Sequence, residues 1–65
     1  MIKVNGKETA VAKEQSLLDF LEEKKLDLNK IVVEYNAEIL SKEKLVKVVL
    51  QKGDCLEIVS FVGGG

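Results

Sequence analysis

A chain of 65 residues with ten basic and eleven acidic side chains, for a formal charge of −1, has room for one small domain and carries no electrostatic footprint for nucleic acid or an anionic membrane. Hydrophobic residues make up 46% and charged residues 32%, the balance of a globular domain rather than a disordered one. With no histidine and one cysteine, Cys55, the sequence excludes an internal disulfide, a self-sufficient Cys/His zinc site, an iron–sulfur cluster and any Ser-His or Cys-His catalytic pair.

Met1 leads directly into the alternating Ile2-Lys3-Val4, which leaves no room for a signal peptide, and no apolar run approaches the length of a membrane span. Together with the lone cysteine these features predict a cytoplasmic protein. Ile2-Lys3-Val4 reads as a strand, Asn5-Gly6 as a tight turn that tolerates positive φ, and Thr9-Ala10-Val11 as the returning strand. Ser16 with Asp19 three residues on marks a helix start near Leu17, a variant of the Ser-x-x-Glu capping box. At 100° per residue Leu17, Leu18 and Leu21 share the buried face with Phe20 at its flank, and Asp19, Glu22 and Glu23 lie opposite.

After an exit loop at Asp27-Leu28-Asn29, the β-branched Ile31-Val32-Val33-Glu34-Tyr35 predicts a third strand, and Glu38-Ile39-Leu40 a short one beyond the Asn36-Ala37 turn. Ser41 to Lys44 predicts one helical turn and Val46 to Leu50 a return to extended chain. Gly53-Asp54 predicts a turn, with Gly53 at positive φ, into a last strand from Cys55 to Val62. The order β-β-α-β-β predicts an α+β domain in which a mixed sheet of four to five strands packs on one helix. By alternation Ile2, Val4, Val33, Tyr35, Leu56 and Ile58 face the helix, whereas Val59 and Phe61 lie on the other side with Lys3 and Glu57. Two apolar side chains on the outer face, running toward the chain end with Val62, predict a partner-binding surface.

The domain is predicted over residues 1–62, followed by a flexible glycine tail at residues 63–65. The tail is no phosphate loop, because no helix N-terminus and no Lys-Ser/Thr pair follow it. The acidic side chains are spread as solvated faces, so no catalytic residue and no metal site are assigned. Cys55 has no histidine to activate it and reads as a structural thiol. The remaining reactive group is the carboxylate of Gly65. Glycine at Gly63, Gly64 and Gly65 leaves no Cβ to obstruct its passage into a partner's pocket or attack on its activated carbonyl carbon.

These segments resemble the sulfur carrier proteins of thiamine biosynthesis, the ThiS-like members of the ubiquitin-like β-grasp fold. The resemblance is carried by Ile2-Lys3-Val4-Asn5-Gly6, by the Leu-Leu-x-Phe-Leu helix, by Val33-Glu34-Tyr35-Asn36-Ala37-Glu38-Ile39-Leu40, and by Gly53-Asp54-Cys55-Leu56-Glu57-Ile58-Val59 with the terminal glycines. It implies that an E1-like enzyme, using ATP with Mg, adenylates Gly65. A cysteine-derived persulfide donor then replaces AMP to leave a thiocarboxylate, which thiazole synthase consumes. It implies further that Gly63 and Gly64 enter the partner's active site, that the chain binds no cofactor of its own, and that it is a monomer when free, a co-substrate rather than an enzyme. Lys42 and Leu45 stand where many members carry arginine and tryptophan, and Cys55 falls at a position the family leaves variable. The alternatives are the small subunit of molybdopterin synthase, a carrier for tRNA thiolation or cysteine synthesis, and a β-grasp module that only docks. The length and the Gly-Asp-Cys-Leu-Glu-Ile-Val ending favour the thiamine branch.

Overall fold

The computed structural model describes residues 1–61, so Val62 and the glycines Gly63, Gly64 and Gly65 lie outside the described residues. The chain opens with a hairpin of β1 (Ile2–Val4) and β2 (Lys7–Thr9), in which Ile2 pairs with Thr9 and Val4 with Lys7. Asn5 and Gly6 both take positive φ, 50° and 83°, the pairing of left-handed residues that lets a two-residue turn match the twist of its strands. Strand β2 ends at Thr9, two residues earlier than the alternation predicts. Ala10 and Val11 leave the sheet toward the helix, and the Gln15 side chain accepts from the Ala12 N–H at 3.1 Å.

Helix α1 (Leu17–Glu23) starts where the sequence places it, with the Ser16 hydroxyl accepting from the Asp19 N–H at 3.0 Å. Its buried face is Leu17, Phe20 and Leu21, an i, i+3, i+4 set. Phe20 therefore belongs to the core rather than its flank, and Leu18, one residue round from Leu17, is only half-buried. The helix closes on a Schellman arrangement: the Leu26 N–H donates to the Leu21 carbonyl at 3.1 Å and the Lys25 N–H to the Glu22 carbonyl at 2.9 Å. Lys25 takes the left-handed conformation at φ 59°, where glycine is usual. A short 3₁₀ turn, Leu28–Lys30, begun by the Asp27 carboxylate accepting from the Asn29 N–H, leads to β3 (Ile31–Tyr35).

Strand β3 turns through Asn36 and Ala37, again both at positive φ, into the two-residue β4 (Glu38–Ile39). Ser41 caps α2 (Lys42–Leu45), the single helical turn read from the sequence. The extended strand predicted for Val46 to Leu50 does not form. Val46 and Lys47 continue the turn, and the rest pairs with the entrance to α1: Val49 bridges Ser16, the Leu17 N–H donates to the Val48 carbonyl at 3.0 Å and the Leu50 N–H to the Gln15 carbonyl at 2.8 Å. The segment is a strap that satisfies an N-terminal N–H of the helix and places Leu50 in the core. Gly53, at φ 88°, turns the chain into β5 (Cys55–Ser60).

The five strands form one mixed sheet in the order β2-β1-β5-β3-β4, with β1 and β5 parallel and the other pairs antiparallel. The last strand is thus the central one, paired on both edges. Ile2, Val33 and Leu56 face Leu17 and Leu21 as the most buried side chains, and Ile31, Phe20, Leu45 and Leu50 complete the core. Val4, Tyr35 and Ile58, also predicted to face inward, are half-buried against that core. No helix among the described residues is long and apolar enough to cross a membrane.

Candidate functional site

The sheet's uncovered side is built by the register of its three consecutive strands. Val32 pairs with Val59 across the β3–β5 ladder, Glu34 with Glu57, and Ile39 of β4 with Glu34. Side chains directly opposite share a face, so Ile39, Val32 and Val59 surround a carboxylate pair on one surface. Ile39 is 67% exposed, Val59 61%, Phe61 47% and Val32 40%, a concentration of apolar side chains in water on one side of a small domain. The Phe61 N–H donates to the Lys30 carbonyl at 2.9 Å, which carries the β3–β5 ladder one residue beyond the end of β5. Val32, Glu34, Ile39, Glu57 and Val59 line one shallow depression.

Sequence reading placed Val59 and Phe61 on this face and missed Val32 and Ile39. Their exposure depends on which strands pair and in which register, and Ile31-Val32-Val33 reads locally as an uninterrupted buried run. Val62, Gly63, Gly64 and Gly65, the other residues read as site residues, lie outside the described residues. Cys55 is exposed on the same side of the sheet, opposite Lys3 in the β1–β5 pair. Among the described residues no three His, Cys, Asp or Glu side chains converge as a metal site.

Two asparagines fix the strand that carries this face. In the first turn the Asn5 side chain accepts from the Ile58 N–H at 2.7 Å and donates to the Ile58 carbonyl at 3.2 Å, while its own N–H donates to the Leu56 carbonyl at 2.8 Å. In the β3–β4 turn Asn36 accepts from the Cys55 N–H at 2.8 Å through its side chain, and its backbone N–H donates to the Cys55 carbonyl at 2.8 Å. Each side-chain amide stands in for a peptide group and prolongs the pairing of β5 past a neighbouring strand's end. Beneath Asn36 sits Asp54, 8% exposed, which accepts from the Gln51 N–H at 2.7 Å, from the Tyr35 hydroxyl at 2.8 Å and from the Asn36 side chain at 3.1 Å. Burial pushes the Asp54 carboxyl up, but the Gln51 N–H, Asn36 and Tyr35 outweigh it and hold the group below the ordinary aspartate value. Burial, the bond to Asp54 and the charge of Asp54 push the Tyr35 phenol up.

This arrangement has close relatives. The model of the ThiS family matches residues 2–65. The chain belongs to the ThiS family. Sulfur carrier protein ThiS of Bacillus subtilis is 39% identical over 66 residues, an alignment that takes in the whole of both chains. The crystal structure of a thiamine biosynthesis protein, ThiS, from Geobacter metallireducens superposes with a TM-score of 0.81 at 31% identity, covering 98% of this chain and 97% of that one. The chain is therefore a ThiS-like sulfur carrier of thiamine biosynthesis with the family's β-grasp fold. A thiazole synthase of Paramagnetospirillum magneticum is 39% identical over 62 residues, which are 95% of this chain and 19% of the length of that protein. The ThiS chain thus matches about a fifth of that larger relative.

Proposed function

We propose that this ThiS chain carries sulfur on the carboxylate of Gly65 and delivers it to a thiazole synthase. The observation that carries the reading is the match along the whole of the Bacillus subtilis carrier, joined to an apolar face on the strand that leads to the glycines. The carboxylate is a poor electrophile until its oxygen becomes a leaving group. An E1-like adenylating enzyme, holding Mg-ATP in its own site, joins the Gly65 carboxylate to the α-phosphate and expels pyrophosphate. The terminal sulfur of a cysteine-derived persulfide attacks the carbonyl carbon, the C–O bond to AMP breaks, and AMP departs. A thiol then takes the donor's sulfur into a disulfide, so the S–S bond is reduced as the thiol is oxidised, and the thiocarboxylate remains on Gly65.

The chain's own contribution is presentation. Val59 on the central strand and Phe61 just past its end dock against the partner together with Val62, while Gly63 and Gly64 pass through its entrance without a Cβ to block them. That a stretch of a protein named thiazole synthase matches 95% of this chain supports that acceptor. Deleting Gly65 tests the assignment. Sulfur transfer is abolished while the circular dichroism spectrum and melting temperature stay those of the intact domain, and Cys55→Ser transfers sulfur at the native rate. Loss of transfer in Cys55→Ser with the fold intact overturns the choice of group.

A further inference from the structure

Glu34 and Glu57 stand directly opposite each other on the uncovered side of the sheet, with Ile39 beyond Glu34 and the Val32–Val59 pair beside them. Like charges in opposed positions on one sheet face destabilise the pairing. Among the described residues neither carboxylate is held in an ion pair. The ion pair found among the described residues joins Lys44 to Glu38, and Lys3, the cation that β1 contributes to this face, stands opposite Cys55 rather than Glu57. Water tolerates the arrangement while the face is open. A partner that covers Val32, Ile39 and Val59 also strips water from Glu34 and Glu57, and a desolvated carboxylate without a counter-charge is strongly unfavourable.

Resting on the docking role proposed above, we infer that the adenylating enzyme covers this face and inserts a guanidinium between Glu34 and Glu57. A planar guanidinium offers donors in two directions and loses less hydration than an ammonium, which suits a shallow depression lined by two carboxylates and apolar side chains. The apolar rim supplies contact area, and the carboxylate pair selects which apolar surface docks.

The test measures the affinity of an E1-like adenylating enzyme of thiamine biosynthesis for the full chain and for the Glu34→Gln/Glu57→Gln double variant, at low and high salt. Melting temperatures of the free proteins are recorded beside it. The expected result is binding weakened about tenfold or more, with a flattened salt dependence, in a variant that melts at or above the native temperature because the repulsion is gone. Glu57→Lys, which presents a cation to the incoming cation, binds more weakly still. Unchanged or tighter binding by either variant, with the native salt dependence, overturns the inference. Intact mass of Gly65 on the same samples keeps the two readings apart. A native chain that gains sulfur, beside a double variant of native affinity, sinks the guanidinium alone; a native chain that neither binds nor gains sulfur sinks both.

Discussion

Just before β5 one carboxylate gathers three donors: Asp54 accepts from the Gln51 N–H, the Asn36 side chain and the Tyr35 hydroxyl. Because the folded chain holds Asp54 below the unfolded reference of 3.8, its contribution to stability is present above that value and is lost as pH falls through the folded one. Asp54→Asn is expected to lower stability at neutral pH by about 1–3 kcal/mol and to flatten the acid limb of the stability profile, read by urea unfolding from neutral pH down to strong acid. Tyr35 has the opposite sign. Its phenol is raised above 10.0, so its contribution is present below that pH and fades as pH climbs through the folded value. Tyr35→Phe is expected to cost about 1 kcal/mol at neutral pH and to remove the alkaline decline. The turn at Gly53-Asp54 was legible because glycine beside aspartate is turn chemistry, and Gly53 does take positive φ. The partners of Asp54 were not legible, since Asn36 and Tyr35 lie 18 and 19 residues away and reach it only through the β3–β5 register.

Among the elements, α1 shows how far periodicity reaches. Ser16 as cap and Leu17 and Leu21 as core follow from spacing, but the choice between Leu18 and Phe20 for the remaining buried place depends on how the helix sits over the sheet. Leu21→Ala is expected to cost about 2–5 kcal/mol, since the side chain is fully buried, and urea unfolding measures it. The helix end predicts the reverse effect. Lys25 occupies the left-handed position of the Schellman turn, so Lys25→Gly is expected to stabilise the domain by up to about 1 kcal/mol, seen as a raised melting temperature. The strap from Val46 to Leu50 is the element that local reading misplaced. Its β-branched run has strand propensity, yet its hydrogen bonds go to Gln15 and Leu17 at the helix entrance, a tertiary choice that propensity does not contain.

For the whole molecule, the order β2-β1-β5-β3-β4 puts the strand that leads to the glycines in the middle of the sheet. Its outer side chains are thereby held on a platform between β1 and β3, reinforced by Asn36 at Cys55 and by Asn5 at Ile58. The α+β class, the hairpin, the helix and the outward direction of Val59 and Phe61 could all be read from alternation and turn residues. The breadth of the apolar face could not, because Val32 and Ile39 join it only once three strands are in register. Phe61→Ala is expected to weaken binding of the adenylating enzyme by about tenfold or more while moving the melting temperature little, because an aromatic side chain 47% exposed contributes more to a partner's interface than to this core. The most direct measurement is the intact mass of the chain, with fragmentation of its C-terminal peptide, after incubation with the adenylating enzyme, Mg-ATP and a persulfide donor. Sulfur in place of one oxygen on Gly65 is the predicted result; an unmodified Gly65, under conditions that load the Bacillus subtilis carrier, contradicts it.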